Sequence, residues 1–163
     1  MKIEREIEAV LNKQIGHEFE SAYVYLALSA ALGQTAYIGF AHWMRKQYEE
    51  ELEHAMKLFD YIQGRQGCVQ LKSFECPNYE IHQPLEAFKI AYDLEVANTK
   101  NIHAAYALAL QKSDYPTQTF LHWYIDEQVQ EEEDCQTFIA ALELAKDCSC
   151  SLLSLDQKAG QRK

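Results

Sequence analysis

Glycine and proline, six and three in 163 residues, fall mostly between four long stretches whose apolar residues return every three or four positions. That period belongs to helices, and the chain is expected to be all-α. A first helix is expected from about Ile3 to Leu32, ending at Gly33. A second, capped by Thr35, runs to about Gln63, before Gly64 and Gly67. Pro84, suited to a first helical turn, opens a third over about Gln83–Lys112, and Asp114 with Pro116 opens a fourth that reaches about Lys146. Ser149 is placed to cap a short fifth helix, SLLSLDQKA, ahead of a polar tail.

Helices of roughly 30 residues are about 45 Å long. The segment 65–82, RQGCVQLKSFECPNYEIH, is too long for a turn and extends to roughly 60 Å, enough to travel the whole length of such a helix. The expected architecture is a four-helix bundle in which hairpins 1–2 and 3–4 are joined by a long crossover between helices 2 and 3, followed by the short C-terminal helix. Phe40, His42, Trp43 and Glu51 repeat at the spacings of Phe120, His122, Trp123 and Glu131, which suggests two related hairpins.

The length fits a single domain over 1–163 with a sizeable core, and a content of 48% hydrophobic and 25% charged residues is that of a soluble globular chain. The longest apolar run, Ala22 to Leu32, is too short for a membrane span and carries a serine. The opening MKIEREIEAV lacks the apolar core of a signal peptide. Five cysteines without paired spacing fit reduced thiols, so the expected compartment is the cytoplasm. A net charge of −10 argues against nucleic acid and makes cations the natural partners.

The acid is not all placed for solvent. Residues seven apart share a helix face to within about 20°. The inward stripes read Leu11, Glu18, Tyr25, Leu32; Tyr37, Met44, Glu51, Leu58; Phe88, Glu95, Ile102, Ala109; and Tyr124, Glu131, Phe138, Ala145. Each is apolar above and below one central glutamate. An unpaired carboxylate there costs several kcal/mol or more, on the order of what a whole domain has to spare. No lysine or arginine shares the stripes; the one basic group at that height is His54, three residues after Glu51. Two divalent ions carrying +4 would close four carboxylates to neutrality. A carboxylate-dominated set with one imidazole favours iron or manganese over zinc or magnesium. Glu49, Glu53, Glu132 and Glu133 fall off the inward line and are read as solvated, with Glu50 and Glu127 between the two groups.

Glu18 with Tyr25 seven later, Glu51-x-x-His54, Glu95, the Glu127-Gln128 pair and Glu131 together resemble the ferritins, specifically the bacterial non-haem type, over nearly the whole chain. The resemblance implies a 24-subunit shell that oxidises Fe(II) with dioxygen or hydrogen peroxide and stores ferric mineral. It further implies a first iron site of Glu18, Glu51 and His54, and a second of Glu51, Glu95 and Glu131. Tyr25 would be a phenol hydrogen-bonding beside the centre, and Gln128 a hydrogen-bonding residue on its dioxygen side. A third site in bacterial relatives would draw on Glu50, Glu127, position 130 and Glu131, but position 130 is Gln130, which weakens or reshapes it. The haem-binding bacterioferritins place a methionine and a histidine where this chain has Leu52 and Gln130, so haem is not expected.

Other readings compete. The runner-up is a different di-iron bundle, a rubrerythrin-type peroxidase or an oxygenase; the rubrerythrin type would bring a Cys-x-x-Cys module, and none is present, while Cys148-x-Cys150 has no second pair and is read as packing or incidental. A mini-ferritin follows another ligand spacing. A shell subunit without redox activity, or a metal-free helical interaction module, would not need the full ligand set. His42, His122, Trp43 and Trp123 are read as structural, and the ten tyrosines as material for subunit contacts.

Overall fold

The computed structural model describes residues 1–146 and 148–163. Four long helices, α1 (Arg5–Leu32), α2 (Ile38–Gly64), α3 (Pro84–Gln111) and α4 (Tyr115–Ala145), are followed by the short α5 (Ser149–Ala159). Short turns make α1 and α2 one antiparallel hairpin and α3 and α4 another, while α5 lies against α2 and α4. Phe88 near the start of α3 packs on Phe40 near the start of α2, so α2 and α3 run parallel and the chain between them must climb the bundle. It does so along α1: the Cys68 amide donates to Glu8 at 2.9 Å, the Gln70 amide to Asn12 at 2.7 Å, and Phe74 meets Tyr23 edge-on at 5.2 Å. The crossover inferred from length is thus a strap with specific anchors. No helix among the described residues is long and apolar enough to cross a membrane.

Helix ends follow the expected places with two local exceptions. Asp114 caps α4 by accepting from the Thr117 amide at 3.2 Å, and Pro84 occupies the first turn of α3. Thr35 does not cap α2. It donates to the Leu32 carbonyl and accepts from the Tyr37 amide, closing the α1–α2 turn instead. The start of α2 takes its cap from far along the chain, the Phe40 amide donating to Asp156 of α5 at 2.8 Å. Ser149 is already helical, with Cys148 before it making no side-chain cap. At the far end of α2 the left-handed residue is Gln66, whereas Gly67 is needed for closeness: a Cβ there would lie 2.8 Å from Ile3, Ile62 and Glu8 side-chain atoms.

The interior divides into two apolar halves. One gathers Tyr25, Leu28, Leu32, Phe40, Trp43, Met44, Phe88 and Leu142, the other Ile7, Leu11, Ile15, Leu58, Ile62, Ile102, Leu121 and Tyr124. Phe40 with Trp43 and Phe120 with Trp123 therefore sit in opposite halves, as two copies of one spacing do on antiparallel helices. Between the halves lies a polar waist, to which every long helix contributes.

Candidate metal centre

Each heptad stripe delivers its glutamate to the waist. Glu18, Glu51, Glu95 and Glu131 are 0, 0, 1 and 3% exposed, and His54, one turn beyond Glu51, is 5% exposed. Four helices passing a common level bring these side chains together, because each stripe is apolar above and below its glutamate.

Three of the four acids are held by amides. Gln14 Nε2 donates to Glu18 Oε1 at 2.8 Å, and Asn98 Nδ2 to Glu18 Oε2 at 3.2 Å. Glu95 accepts from the Tyr25 hydroxyl at 2.5 Å and from Gln128 Nε2 at 3.0 Å. Glu131 accepts from Gln47 Nε2 at 2.6 Å. Glu51 is the exception: among the described residues, no amide, backbone N–H or hydroxyl donor reaches either oxygen. Its nearest relief is the neighbouring Glu18 carboxyl, close enough for the two to share a proton.

The protonation behaviour follows from burial. Desolvation pushes the Glu51 carboxyl well above the carboxylate range, and the charges of Glu95, Glu18 and Glu131 push it the same way. Burial raises Glu18 against the donors that hold it. It drives Glu95 to about 7 despite Tyr25 and Gln128, and Glu131 to about 8, helped by Glu95. His54 moves oppositely, down to about 4 by burial and the Lys57 charge, so its imidazole is a free base with one ring-nitrogen lone pair to give. Carboxylates that burial makes hard to ionise, beside a neutral imidazole, form a set that a divalent cation discharges better than protons can.

Ligand-type atoms of Glu18, Glu51 and His54 lie within 4.8 Å of one another, as do those of His54, Glu127 and Glu131. Tyr25 and Gln128 meet at Glu95, where both donate. Burial raises the Tyr25 hydroxyl well above its ordinary range, so it stays protonated and remains a donor. Glu50 and Glu127 are half-buried beside this set, Glu50 engaged by Arg162. Gln130 is exposed and turns to Asp134, with its amide 2.9 Å from that carboxylate.

The acids expected in solvent divide. Glu53 and Glu133 are exposed and Glu49 pairs with Lys46, but Glu132 is half-buried and accepts from the Thr99 hydroxyl at 2.6 Å. Sequence reasoning passed over Gln14, Gln47 and Asn98, and also Cys135, a buried thiol one turn after Glu131. A signal existed for the amides. Each lies three or four residues from an inward glutamate, and so on the same inner face.

An all-α bundle whose inward carboxylates and one histidine converge between two apolar halves defines a carboxylate metal-binding four-helix protein. The ferritin-like domain family model matches residues 8–145, and the chain belongs to that family. It is 34% identical over 156 residues to a bacterial non-heme ferritin of Staphylococcus haemolyticus, covering 96% of this chain and 93% of that one. With the bacterial non-heme ferritin of a Staphylococcus aureus strain it shares 33% over 152 residues, 93% and 92% of the two chains. Among solved structures, an open pore ferritin from the hyperthermophilic archaeon Archaeoglobus fulgidus superposes with a TM-score of 0.97 at 40% identity, covering 99% of this chain and all of that one. A humanized archaeal ferritin gives a TM-score of 0.97 at 38% identity, with 99% of each chain covered.

Proposed function

We propose that the protein stores iron, and that its waist is a ferroxidase centre at which two Fe(II) ions bind as substrate and are oxidised to Fe(III) by dioxygen or hydrogen peroxide. The observation that carries this reading is Glu51: a carboxylate with no exposed surface and, among the described residues, no amide or hydroxyl donor at either oxygen, facing three other acids. A group in that state is costly unless a cation meets it, and two free oxygens can face two cations.

Glu18, Glu51 and His54 hold one ion, and Glu51, Glu95 and Glu131 the other, with Glu51 between them. Two ions of +2 balance four carboxylates, so loading proceeds with loss of whatever protons the acids carry. The amides fix the remaining ligand atoms: Gln14 and Asn98 orient Glu18, Gln47 orients Glu131, and Gln128 with Tyr25 orients Glu95. Glu127 has a ligand-type atom within 4.8 Å of those of His54 and Glu131, beside the pair. When each Fe(II) gives up an electron the site gains two positive charges that the four carboxylates no longer match, which favours release of Fe(III) toward mineral. In this reading residues 1–163 form one unit, the subunits close into a 24-membered shell, haem has no place, and the protein works in the cytoplasm without nucleic-acid or membrane partners.

The test is anaerobic Fe(II) addition to the metal-free protein followed by air, with oxidation read by absorbance and the particle sized in solution. Glu51→Ala is expected to slow the initial oxidation at least tenfold while leaving the assembly intact. Oxidation as fast as in the unsubstituted protein would overturn the assignment.

A further inference from the structure

The last residues of the chain return to the flank of the metal centre. The anchor is α5 on α2: a Cβ placed on Gly39 would lie 1.8 Å from the Asp156 carbonyl oxygen, and one on Gly160 would lie 3.2 Å from the Gly39 Cα, so the two helices meet at backbone distance. From there the tail is held at three points. His42 Nε2 lies 2.9 Å from the Arg162 carbonyl oxygen, the guanidinium lies over the Trp43 ring at 4.6 Å from its centroid, and its Nη2 donates to Glu50 Oε2 at 2.5 Å. The Arg162 side chain is only 20% exposed, and among the described residues no partner meets its buried Nη1.

Glu50 is one member of an acidic corner outside the four central acids. Its charge is felt with those of Glu127, Glu53 and Asp134, and Glu131 senses both Glu50 and Arg162. Glu127, Glu131 and His54 have ligand-type atoms close enough for one ion. Gln130 points away to Asp134 and adds no charge there. A guanidinium suits this place better than an ammonium would, since its plane lies on an indole face while its edge meets a carboxylate.

Resting on the metal-centre reading above, we infer that Arg162 is a tethered counter-cation, seated on Glu50, that keeps a third divalent ion out of the corner formed by Glu50, Glu127 and Glu131 and so restricts the chain to the two ions of the waist.

The assembled, metal-free protein is titrated with zinc, a redox-inert divalent probe, and tightly bound zinc per chain is counted by equilibrium dialysis against a weak chelator. The unsubstituted chain is expected to hold two. Arg162→Gln and a chain lacking residues 161–163 are each expected to hold three, and Arg162→Gln combined with Glu50→Gln to return to two. Arg162→Lys, which keeps the charge, is expected to stay at two. Three ions in the unsubstituted protein, or two in both Arg162→Gln and the truncated chain, would overturn the inference while leaving the waist assignment standing. No tightly bound zinc in the unsubstituted chain would overturn both.

Discussion

Arg65 with Asp114 and the acids of the waist are both buried charge, and the chain treats them in opposite ways. At one end of the bundle the Arg65 side chain is 11% exposed and that of Asp114 8%, and they meet through two parallel bonds of 3.1 Å. The guanidinium also donates to the Tyr61 hydroxyl at 2.6 Å and to the Met1 carbonyl at 2.9 Å, while Asp114 caps α4. Nearly every donor and acceptor has a partner within the chain, and the cluster ties the N-terminus, α2 and α4 together. At the waist four acids converge, and among the described residues no lysine or arginine joins them and no amide or hydroxyl donor reaches Glu51. One region is satisfied within the fold; the other, on the proposed reading, is satisfied by bound cations. The difference separates a charge that serves the fold from one that the fold alone does not account for.

The largest effect should come from breaking the complete region. Arg65→Met leaves Asp114 buried without its cation, and is expected to cost about 3–5 kcal/mol in chemical denaturation, a loss that divalent metal does not restore.

The waist should show the converse through pH. Glu95 and Glu131 titrate near 7 and 8 in the folded protein, against 4.5 for an ordinary glutamate. Raised acid pKa values mean that the folded state binds more protons than the unfolded one, so stability falls as pH rises. His54, depressed from 6.5 to about 4, contributes an opposite slope only below 6.5. Between pH 6.5 and 8 the carboxyls act alone, and the metal-free protein is expected to weaken across that window by on the order of 3 kcal/mol. Saturating divalent ion should flatten or reverse the slope. A metal-free protein with stability flat over the window would remove the distinction between the two regions.

Glu51→Gln removes the one acid without donors and supplies an amide that can donate to Glu18. Metal-free stability is expected to rise by about 1–3 kcal/mol, and the gain from added metal to shrink. The smallest effect is expected at Gln47→Met. Losing the donor to Glu131 should cost about 1 kcal/mol and raise the Glu131 titration further, readable from its carboxyl infrared band.

What could be read from sequence is what repeats locally. Helical period, the punctuation at Gly33 and Pro84 and the length of the 65–82 segment define the bundle and its crossover, because each depends on neighbouring residues or on chain length alone. The four inward glutamates were legible for the same reason: the heptad places them, and burial follows. Their donors were half legible. Gln14, Gln47, Asn98 and Gln128 lie one turn from an inward acid on their own helix, but all except Gln14 turn to a glutamate on another helix, and only packing selects the partner. Contacts set by the ends of the chain left no local trace. Asp156 displaces Thr35 as the cap of α2, and Arg162 reaches Glu50 across 112 positions. Both depend on Gly39 letting α5 close on α2, and nothing in the spacing of those residues announces it.

The most direct test is to expose crystals of the metal-free protein to Fe(II) under strictly anaerobic conditions and locate iron by anomalous scattering. The expected result is two ions per chain, one on each side of the Glu51 carboxylate, with Glu18 and His54 on the first and Glu95 and Glu131 on the second. Glu51 left without an ion at either oxygen, or rotated out to water, would contradict it.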